Sequence, residues 1–221
     1  MVSKVRVWDL PTRIFHWSLA LCFVGLLISG EVGGDAMVWH FRMGYAVLSL
    51  LLFRLSWGFL GGHWSRFSAF VVSPFTTWRY VQGQGTTRQS VGHNPLGSWS
   101  VLALLAFTLL QVAAGLCSDD DIATSGPLAK WVSGSWVGYA TYYHTKVGKV
   151  ILIVLVQLHL AAIVFYRVRR QENLVRPMLL GDKLLPEPFE SARDDTNARV
   201  LACAVLAVCV GLVIGLVQWA G

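Results

Sequence analysis

The sequence predicts an all-α integral membrane protein that crosses a bilayer five times. The first observation is composition: 55% of the 221 residues are hydrophobic and only 14% are charged, against roughly a quarter charged in an average globular chain. Second, the apolar residues fall in five long runs. Third, most of the 18 basic residues lie in alternate connecting segments. With a mean hydropathy of +0.56, a soluble domain is disfavoured and a disordered chain is excluded.

Each apolar run is long enough for a spanning helix. A helix needs about 20 mostly apolar residues to cross the hydrocarbon core, where it satisfies its own backbone hydrogen bonds. In order, the runs cover residues 14–30, 37–61, 96–117, 136–166 and 198–219. The second and fourth are long, so those helices are expected to tilt or to extend beyond the hydrocarbon. The first run lacks a convincing cleavage site, and we interpret it as a retained span.

Basic residues in the connecting segments predict the orientation. Thirteen Lys and Arg side chains lie in the leader 1–13, in the segments after runs two and four, and at the start of run five, where Arg199 follows the last of these segments. The opposite segments, 31–39 and 118–135, hold a single basic residue, Lys130. Cytoplasmic loops carry the excess of basic residues in membrane proteins. We therefore expect a cytoplasmic N-terminus and a C-terminus on the opposite side of the membrane, and the net charge of +6 needs no nucleic-acid partner.

The two segments on the opposite side are acidic. Glu31 and Asp35 lie in the first, and Asp119, Asp120 and Asp121 follow one another in the second. A run of acidic residues is usually a solvated face. The alternative is a docking surface for a basic partner, or a cation site.

Two other segments carry structural patterns. In residues 65–82, apolar side chains recur at helical spacing among basic ones, which predicts an interfacial helix that Pro74 kinks or splits. Residues 177–195 hold three prolines and mixed charges, which predicts a loop. We expect the first four spans within residues 1–180, and a cytoplasmic linker with the fifth spanning helix within residues 181–221.

Histidines are the residues that point to chemistry. Of six, four lie in the spans or at their ends: His16, His40, His144 and His159. Ionisable residues within a membrane are rare and usually functional. The topology places His16 and His159 near the cytoplasmic face, and His40 and His144 near the outer face. The 15 residues from His144 to His159 correspond to about 22 Å along a helix and to four turns plus about 60°, so both rings face the same broad side.

Two histidines from facing helices at one depth form the axial ligand set of a six-coordinate b-type haem. The sequence thus predicts two haem b groups, with His16 and His159 as iron ligands of the inner one and His40 and His144 as iron ligands of the outer one. Zinc would need three or four clustered ligands. The chain has no Cys-x-x-Cys-His motif, so covalent c-type haem attachment is unsupported.

Residues around the histidines fit a bound haem. Glycine follows His40 and His144 by four residues, at Gly44 and Gly148. A missing side chain there leaves room for a macrocycle, although small residues also let membrane helices pack closely. Basic side chains at matching depths could neutralise haem propionates. They are Arg13 and Arg54 at the inner level, and Arg42, Lys146 and Lys149 at the outer level.

Taken together, these motifs resemble the bacterial cytochrome b561 family, the di-haem family that also includes the b-type cytochrome subunits of nickel–iron hydrogenases. The resemblance covers about residues 5–180. Its motifs are VWDLPTRIFHW at 7–17, HFRMGY at 40–45, RLSWG at 54–58, GHNPLG at 92–97, DDI at 120–122, GPL at 126–128 and the two histidines of span four.

The resemblance implies a four-helix haem-binding bundle, bis-histidine haems at the positions above and electron exchange with membrane quinone. The fifth span exceeds the minimal four-helix members. His63 and His93 lie in cytoplasmic loops, where they fit surface or quinone-site groups, and the segment with Arg79 and His93 is the candidate quinone pocket. Asn94 and Pro95 also form a good helix start.

Four functions stay open at the level of sequence. The first is a transmembrane electron carrier between quinone or quinol and a periplasmic redox partner, such as a separate c-type cytochrome. The second is a superoxide:quinone oxidoreductase, with Arg42, Lys146 and Lys149 as a positive funnel. The third is the membrane anchor of a hydrogenase or similar dehydrogenase. The fourth is a haem-free transporter or assembly factor. A homodimer is compatible with each.

Overall fold

A computed structural model describes residues 2–120 and 124–220 of the chain. Its elements are, in order, β1 (Ser3–Arg6), α1 (Leu10–Val32), α2 (Met37–Leu60), α3 (Phe67–Phe70), α4 (Pro74–Val81), α5 (Pro95–Leu116), α6 (Gly134–Tyr142), a π-helical turn (Tyr143–Gly148), α7 (Lys149–Arg169), α8 (Val175–Leu180), β2 (Asp182–Leu185) and α9 (Thr196–Ala220). Five helical stretches in the described chain are long and apolar enough to cross a membrane, and they coincide with the five apolar runs. The predicted all-α membrane architecture is therefore confirmed.

The chain forms two compact units. Unit 1 comprises Met1–His16, Arg54–Ala103 and Gln157–Val205, and unit 2 comprises Trp17–Phe53, Leu104–Val156 and Leu206–Gly221. Each unit holds one of the predicted histidine pairs. The two are described separately below.

Unit 1 contains a two-stranded antiparallel sheet that the sequence analysis did not predict. β1 pairs with β2, from Ser3 opposite Leu185 to Arg6 opposite Asp182. The prediction of a loop over residues 177–195 was therefore wrong, since this segment contains the end of α8 and all of β2. The prolines and mixed charges of this segment are typical of a loop. Its partner strand lies some 180 residues away in sequence, so no local pattern predicts the pairing.

Charged and apolar contacts hold the sheet to the rest of unit 1. Arg6 forms ion pairs with Asp182 and Asp194. Lys4 also pairs with Asp182, with its Nζ 3.0 Å from Oδ2 of the carboxylate. Burial opposes ionisation of the Asp182 carboxyl, but hydrogen bonds from Arg6 and Lys4 outweigh it and hold the pKa of Asp182 below its ordinary value. Beneath the sheet lies a hydrophobic cluster of Val5, Val7, Trp8, Trp64, Val91, Leu185 and Ala192.

Asp9 explains why α1 begins four residues before the apolar run. Its Oδ1 accepts hydrogen bonds from the Thr12 N–H at 2.8 Å and the Trp57 Nε1–H at 3.2 Å. Its Oδ2 accepts from the Gly62 N–H at 3.2 Å and the Ser65 hydroxyl at 2.8 Å. Asp9 is fully buried, and these four donors compensate the loss of water. The carboxylate thus ties the start of α1 to the end of α2.

Pro74 splits the predicted interfacial segment into two short helices. α3 ends at Phe70 and α4 begins at Pro74, where proline suits a first turn because its missing N–H is not needed. The Ser73 hydroxyl caps α4 by accepting from the Thr76 N–H at 3.2 Å. α4 exposes apolar side chains, as an interfacial helix would.

α5 begins as the sequence predicts. Pro95 is its first residue, and the Asn94 side-chain oxygen accepts a hydrogen bond from the Gly97 N–H at 2.8 Å. This contact confirms the interpretation of Asn94 and Pro95 as a helix start.

Candidate functional site

The structure brings the four membrane histidines together in two pairs. The ring centres of His16 and His159 lie 6.4 Å apart in unit 1, and those of His40 and His144 lie 6.0 Å apart in unit 2. Imidazole nitrogens bind first-row metals at about 2.0 Å, so two rings that ligate one ion from opposite sides have centres roughly 6 to 6.5 Å apart. Both separations fit one metal ion between each pair of rings.

Backbone carbonyls orient both rings of the His40–His144 pair. His40 Nδ1 lies 3.2 Å from the Leu26 carbonyl oxygen and 3.2 Å from the Ser29 hydroxyl. His144 Nδ1 lies 2.8 Å from the Gln111 carbonyl oxygen. A carbonyl oxygen can only accept, so each Nδ1 carries the proton and donates it. Nε2 is then the nitrogen left for a metal on each ring.

A cavity of about 270 Å³ in unit 2 is lined by this pair. Gly44 also lines it, and a Cβ at Gly44 would meet nothing within 4 Å, so this glycine does leave open space. Gly148 is different: a Cβ there would run into the Gln111 side-chain oxygen and the Tyr143 ring. Gly148 therefore makes room for neighbouring side chains rather than for a macrocycle.

The glycines that make room for the histidine rings lie on the facing helices. A Cβ at Gly115 would lie 2.7 Å from His144 Cε1, and one at Gly30 would lie 3.3 Å from His40 Cε1. Neither glycine was predicted, because each makes room for a ring on a facing helix, and the pattern within the histidine's own helix gives no sign of it.

The basic residues predicted near the His40–His144 pair do not surround it. Lys149 lines the cavity, but its Nζ is paired with Glu31 at 2.7 Å. Arg42 is exposed, with its guanidinium 5.0 Å from the Trp39 ring centre, and Lys146 is also exposed. Within the described part of the chain, neither Arg42 nor Lys146 lines the cavity. Of the three basic residues expected to form a positive funnel, Lys149 is thus the one that lines the cavity among the described residues.

Acidic residues line the same cavity instead. They include Asp119 and Asp120, while Asp121 lies outside the described residues. The Asp120 carboxylate accepts from the N–H and the hydroxyl of Thr124, at 2.8 and 2.6 Å. The Asp119 N–H donates to the Thr141 hydroxyl at 3.0 Å. Hydrogen bonds thus hold Asp119 and Asp120 beside the site.

Arg54 is a buried cation in unit 1. It is 3% exposed, and its guanidinium carbon lies 5.1 Å from the ring centre of Phe67 and 5.8 Å from that of Phe70. Among the described residues, Arg54 Nη1 has no hydrogen-bond partner. A buried, unpaired guanidinium nitrogen is costly. A carboxylate on a bound cofactor, such as a haem propionate, would satisfy it.

Arg13 is the second basic residue that the sequence analysis assigned to this level. Its Nη1 donates to the Leu179 carbonyl oxygen at 2.6 Å, and its buried Nε has no partner in the part of the chain described. Arg13 and Arg54 are therefore both able to accept a further anionic partner.

His93 lies in the interior of unit 1 rather than on a loop surface. Its ring centre is 4.6 Å from that of Trp8 and 4.8 Å from that of Phe70. Arg54, His159 and His16 lie near enough to act electrostatically on the His93 ring. The buried Nδ1 of His93 has no hydrogen-bond partner among residues 2–120 and 124–220.

His93 also lines a cavity of about 520 Å³ in unit 1. Polar and basic side chains share the lining, including His63, Arg66 and Arg88. Arg79, which the sequence analysis grouped with His93, is exposed and donates from Nε to the Gln84 side chain at 3.1 Å. The structure thus keeps His93 as a candidate site residue and separates Arg79 from it.

Comparison with known proteins supports the family suggested by these sites. The family described as prokaryotic cytochrome b561 matches residues 7–181. The chain is 25% identical to a probable Ni/Fe-hydrogenase B-type cytochrome subunit of Rhizobium leguminosarum bv. viciae, over 84% of this chain and 91% of that protein. It is 26% identical to a protein of the same description from Azotobacter vinelandii, over 84% of this chain and 90% of the relative.

A shorter match joins the chain to a probable Ni/Fe-hydrogenase 1 B-type cytochrome subunit of Escherichia coli K12, with 25% identity over 49% of this chain and 57% of that protein. No solved structure matches the chain. Since the family match covers most of the sequence and all of the first four spans, the chain belongs to the prokaryotic cytochrome b561 family, and it is a multi-pass bacterial membrane cytochrome b that takes part in electron transfer.

Proposed function

We propose that this chain carries electrons across the bacterial inner membrane through two haem b groups, one between His16 and His159 and one between His40 and His144. The observation that carries the proposal is the presence of two separate ring pairs, with centres 6.4 and 6.0 Å apart. Each separation suits a single iron ligated from both sides. A bound haem supplies one-electron chemistry, because its iron alternates between the ferric and ferrous states.

The protein's own residues would bind and orient these groups. At the His40–His144 site, hydrogen bonds from Nδ1 to backbone carbonyls keep each Nε2 available and fix the ring planes. At the His16–His159 site, Arg54 and Arg13 offer buried guanidinium nitrogens to propionates. Arg42 and Lys146, both exposed, have no part in this proposal.

Quinone is the proposed membrane substrate, and it would react beside the His16–His159 site. The cavity of about 520 Å³ lined by His93 supports this placement. A quinol that is oxidised there must release two protons, and the unpartnered Nδ1 of His93 is an atom able to accept one. Arg79 is not included, because it lies exposed on α4.

The proposed partner is a redox protein on the periplasmic side. Asp119 and Asp120 line the cavity of the His40–His144 site, so they lie where a basic c-type cytochrome would gain electrostatic guidance. The charge asymmetry of the connecting segments supports this side for the partner, together with a cytoplasmic N-terminus and a periplasmic C-terminus.

A second candidate function is the membrane subunit of a hydrogenase or related dehydrogenase. The observation that favours it is the description of the relatives as Ni/Fe-hydrogenase B-type cytochrome subunits. Purification under mild detergent conditions distinguishes the two partners. Iron–sulfur subunits that co-purify in fixed ratio support the complex, and a chain that purifies alone but reduces a c-type cytochrome supports the carrier.

A haem count on the purified protein tests the central proposal. We expect a pyridine haemochrome assay to give two haem b groups per chain, with reduced-minus-oxidised spectra typical of low-spin b-type haem. One haem per chain would show that one histidine pair is misassigned. A colourless protein would overturn the electron-transfer proposal and favour a transporter or assembly factor.

A further inference from the structure

His144 lies in a π-helical turn. The turn covers Tyr143–Gly148 within an otherwise α-helical stretch from Gly134 to Arg169. π-helical turns close hydrogen bonds from i to i+5, are rare, and occur mostly at functional sites. Because such a turn is less favourable than the α-helix on either side, a contact from outside the helix is needed to hold it.

Gln111 of α5 supplies that contact. Its side-chain Nε2–H donates to the carbonyl oxygen of His144 at 2.8 Å. In the opposite direction, His144 Nδ1 donates to the carbonyl oxygen of Gln111, also at 2.8 Å. The two bonds join the same pair of residues, so they fix both the backbone and the ring of His144 against α5.

Two glycines leave the space that this arrangement needs. A Cβ at Gly148 would run into Gln111 Oε1, and a Cβ at Gly115 would lie 2.7 Å from His144 Cε1. Gln111 Oε1 is buried and has no hydrogen-bond partner in the described chain. An unpartnered buried oxygen is costly, and leucine would fill similar space without that cost. Packing alone therefore does not explain the amide.

We propose that Gln111 is the positioning residue for His144: its amide holds the π-helical turn, and the turn directs His144 Nε2 towards the iron. The inference rests on the proposed function, which makes His144 an iron ligand. Loss of a side chain that orients a metal ligand typically weakens metal binding about 10- to 100-fold. We expect a loss of that size, confined to the His40–His144 site.

The test compares Gln111→Leu with Gln157→Leu, the same substitution at an exposed position of α7. We expect Gln111→Leu to lower haem content from two towards one per chain. Any haem remaining at the His40–His144 site should show a changed low-spin electron paramagnetic resonance signal and a shifted reduction potential. Gln157→Leu should keep both haems with wild-type signals.

A second variant guards against a packing defect. Gln111→Met keeps the length of the side chain and removes the N–H donor without adding a charge, so the same change in the signal of one haem is expected from it. If both Gln111 variants keep two haems with wild-type signals and potentials, the positioning role is wrong. A wild-type protein without haem at the His40–His144 site would instead overturn the proposed function itself, before any variant is compared.

Discussion

The two histidine sites present their rings at nearly the same separation but hold them in different surroundings. At the His40–His144 site, Nδ1 of each ring donates a hydrogen bond to a backbone carbonyl. The charged side chains that line the cavity are carboxylates and Lys149, which is paired with Glu31. In unit 1, which holds the His16–His159 pair, Arg54 is buried and its Nη1 has no hydrogen-bond partner among the described residues, while Arg13 is half-buried. One pair is fixed by backbone carbonyls, and the other shares its unit with a buried cation.

Haems bound at the two pairs as we propose would therefore differ in their properties. Hydrogen bonds and nearby charge are the means by which a protein tunes a bound haem. A buried cation stabilises the ferrous state, since reduction adds negative charge. We therefore expect the His16–His159 haem to be more sensitive to its charged neighbours and the His40–His144 haem to be more sensitive to its packing.

The largest expected effect is the loss of one haem per histidine pair. Replacing His144 with Ala should abolish haem binding at the His40–His144 site, and replacing His159 with Ala should do so at the other, because each leaves one axial ligand. Haem content should fall from two to one per chain in each variant. His63→Ala, outside both pairs, should keep two. Two low-spin haems in either pair variant would refute the pairing.

The next effect tests packing at the His40–His144 site. Gly115→Ala would place a Cβ 2.7 Å from the His144 ring, whereas Gly30→Ala would place one at 3.3 Å from the His40 ring. Overpacking of this kind costs about 1 to 3 kcal/mol, so we expect roughly tenfold weaker haem binding in Gly115→Ala and a smaller change in Gly30→Ala. Haem titration of detergent-solubilised variants measures both.

Gly138→Ala serves as the control for this comparison, because a Cβ there would meet nothing within 4 Å. Equal haem affinity in all three glycine variants would mean that the His144 ring is not held as tightly as its surroundings indicate.

Sequence reasoning succeeded where a pattern lies within one helix. The five spans follow from local hydropathy, and the Asn94 helix start follows from local cap chemistry. It failed where a residue acts on another helix. Gln111, Gly115 and Gly30 matter because of what faces them across a helix–helix contact, and a single helix's periodicity does not encode its neighbour.

His93 illustrates a second limit. Its sequence position between two spans suggests a loop, and the residue is in fact enclosed by Trp8 and Phe70 from distant parts of the chain. The leader and α3 both contribute to this enclosure. Burial of a loop residue depends on such long-range contacts, so hydropathy and spacing gave no signal for it.

A smaller effect tests charge at the His16–His159 site. Arg54→Leu removes a buried cation, and we expect the reduction potential of that haem to fall by tens of millivolts, where about 59 mV in a one-electron couple corresponds to about 1.4 kcal/mol. Arg42→Leu removes an exposed cation and should leave both potentials almost unchanged. Redox titration of the two variants measures both reduction potentials. Equal shifts in Arg54→Leu and Arg42→Leu would contradict the contrast between the sites.

The smallest expected effect concerns the β1–β2 sheet of unit 1. Burial opposes ionisation of Asp194, but hydrogen bonds from Arg199, the Leu10 N–H and Arg6 lower its pKa. The pKa of Asp182 is lowered in the same way, by Arg6 and Lys4. A carboxyl with a lowered folded-state pKa stabilises the fold above its unfolded pKa of about 3.9, and that contribution disappears as pH falls through the folded value.

We therefore expect β1 to loosen on acidification below about pH 4, with a change in stability of about 1 kcal/mol. The protection factors of residues 3–6 in hydrogen exchange at pH 7 and pH 3 measure this change, because they are corrected for the intrinsic effect of pH on exchange.

Arg6→Leu should lower these protection factors at pH 7 and remove most of their dependence on pH, because both carboxylates then lose a shared partner. Arg193→Leu breaks only an exposed pair with Asp195 and should leave exchange unchanged. If Arg6→Leu exchanges like the wild type at both pH values, the apolar cluster beneath the sheet, rather than its ion pairs, holds the N-terminal strand in place.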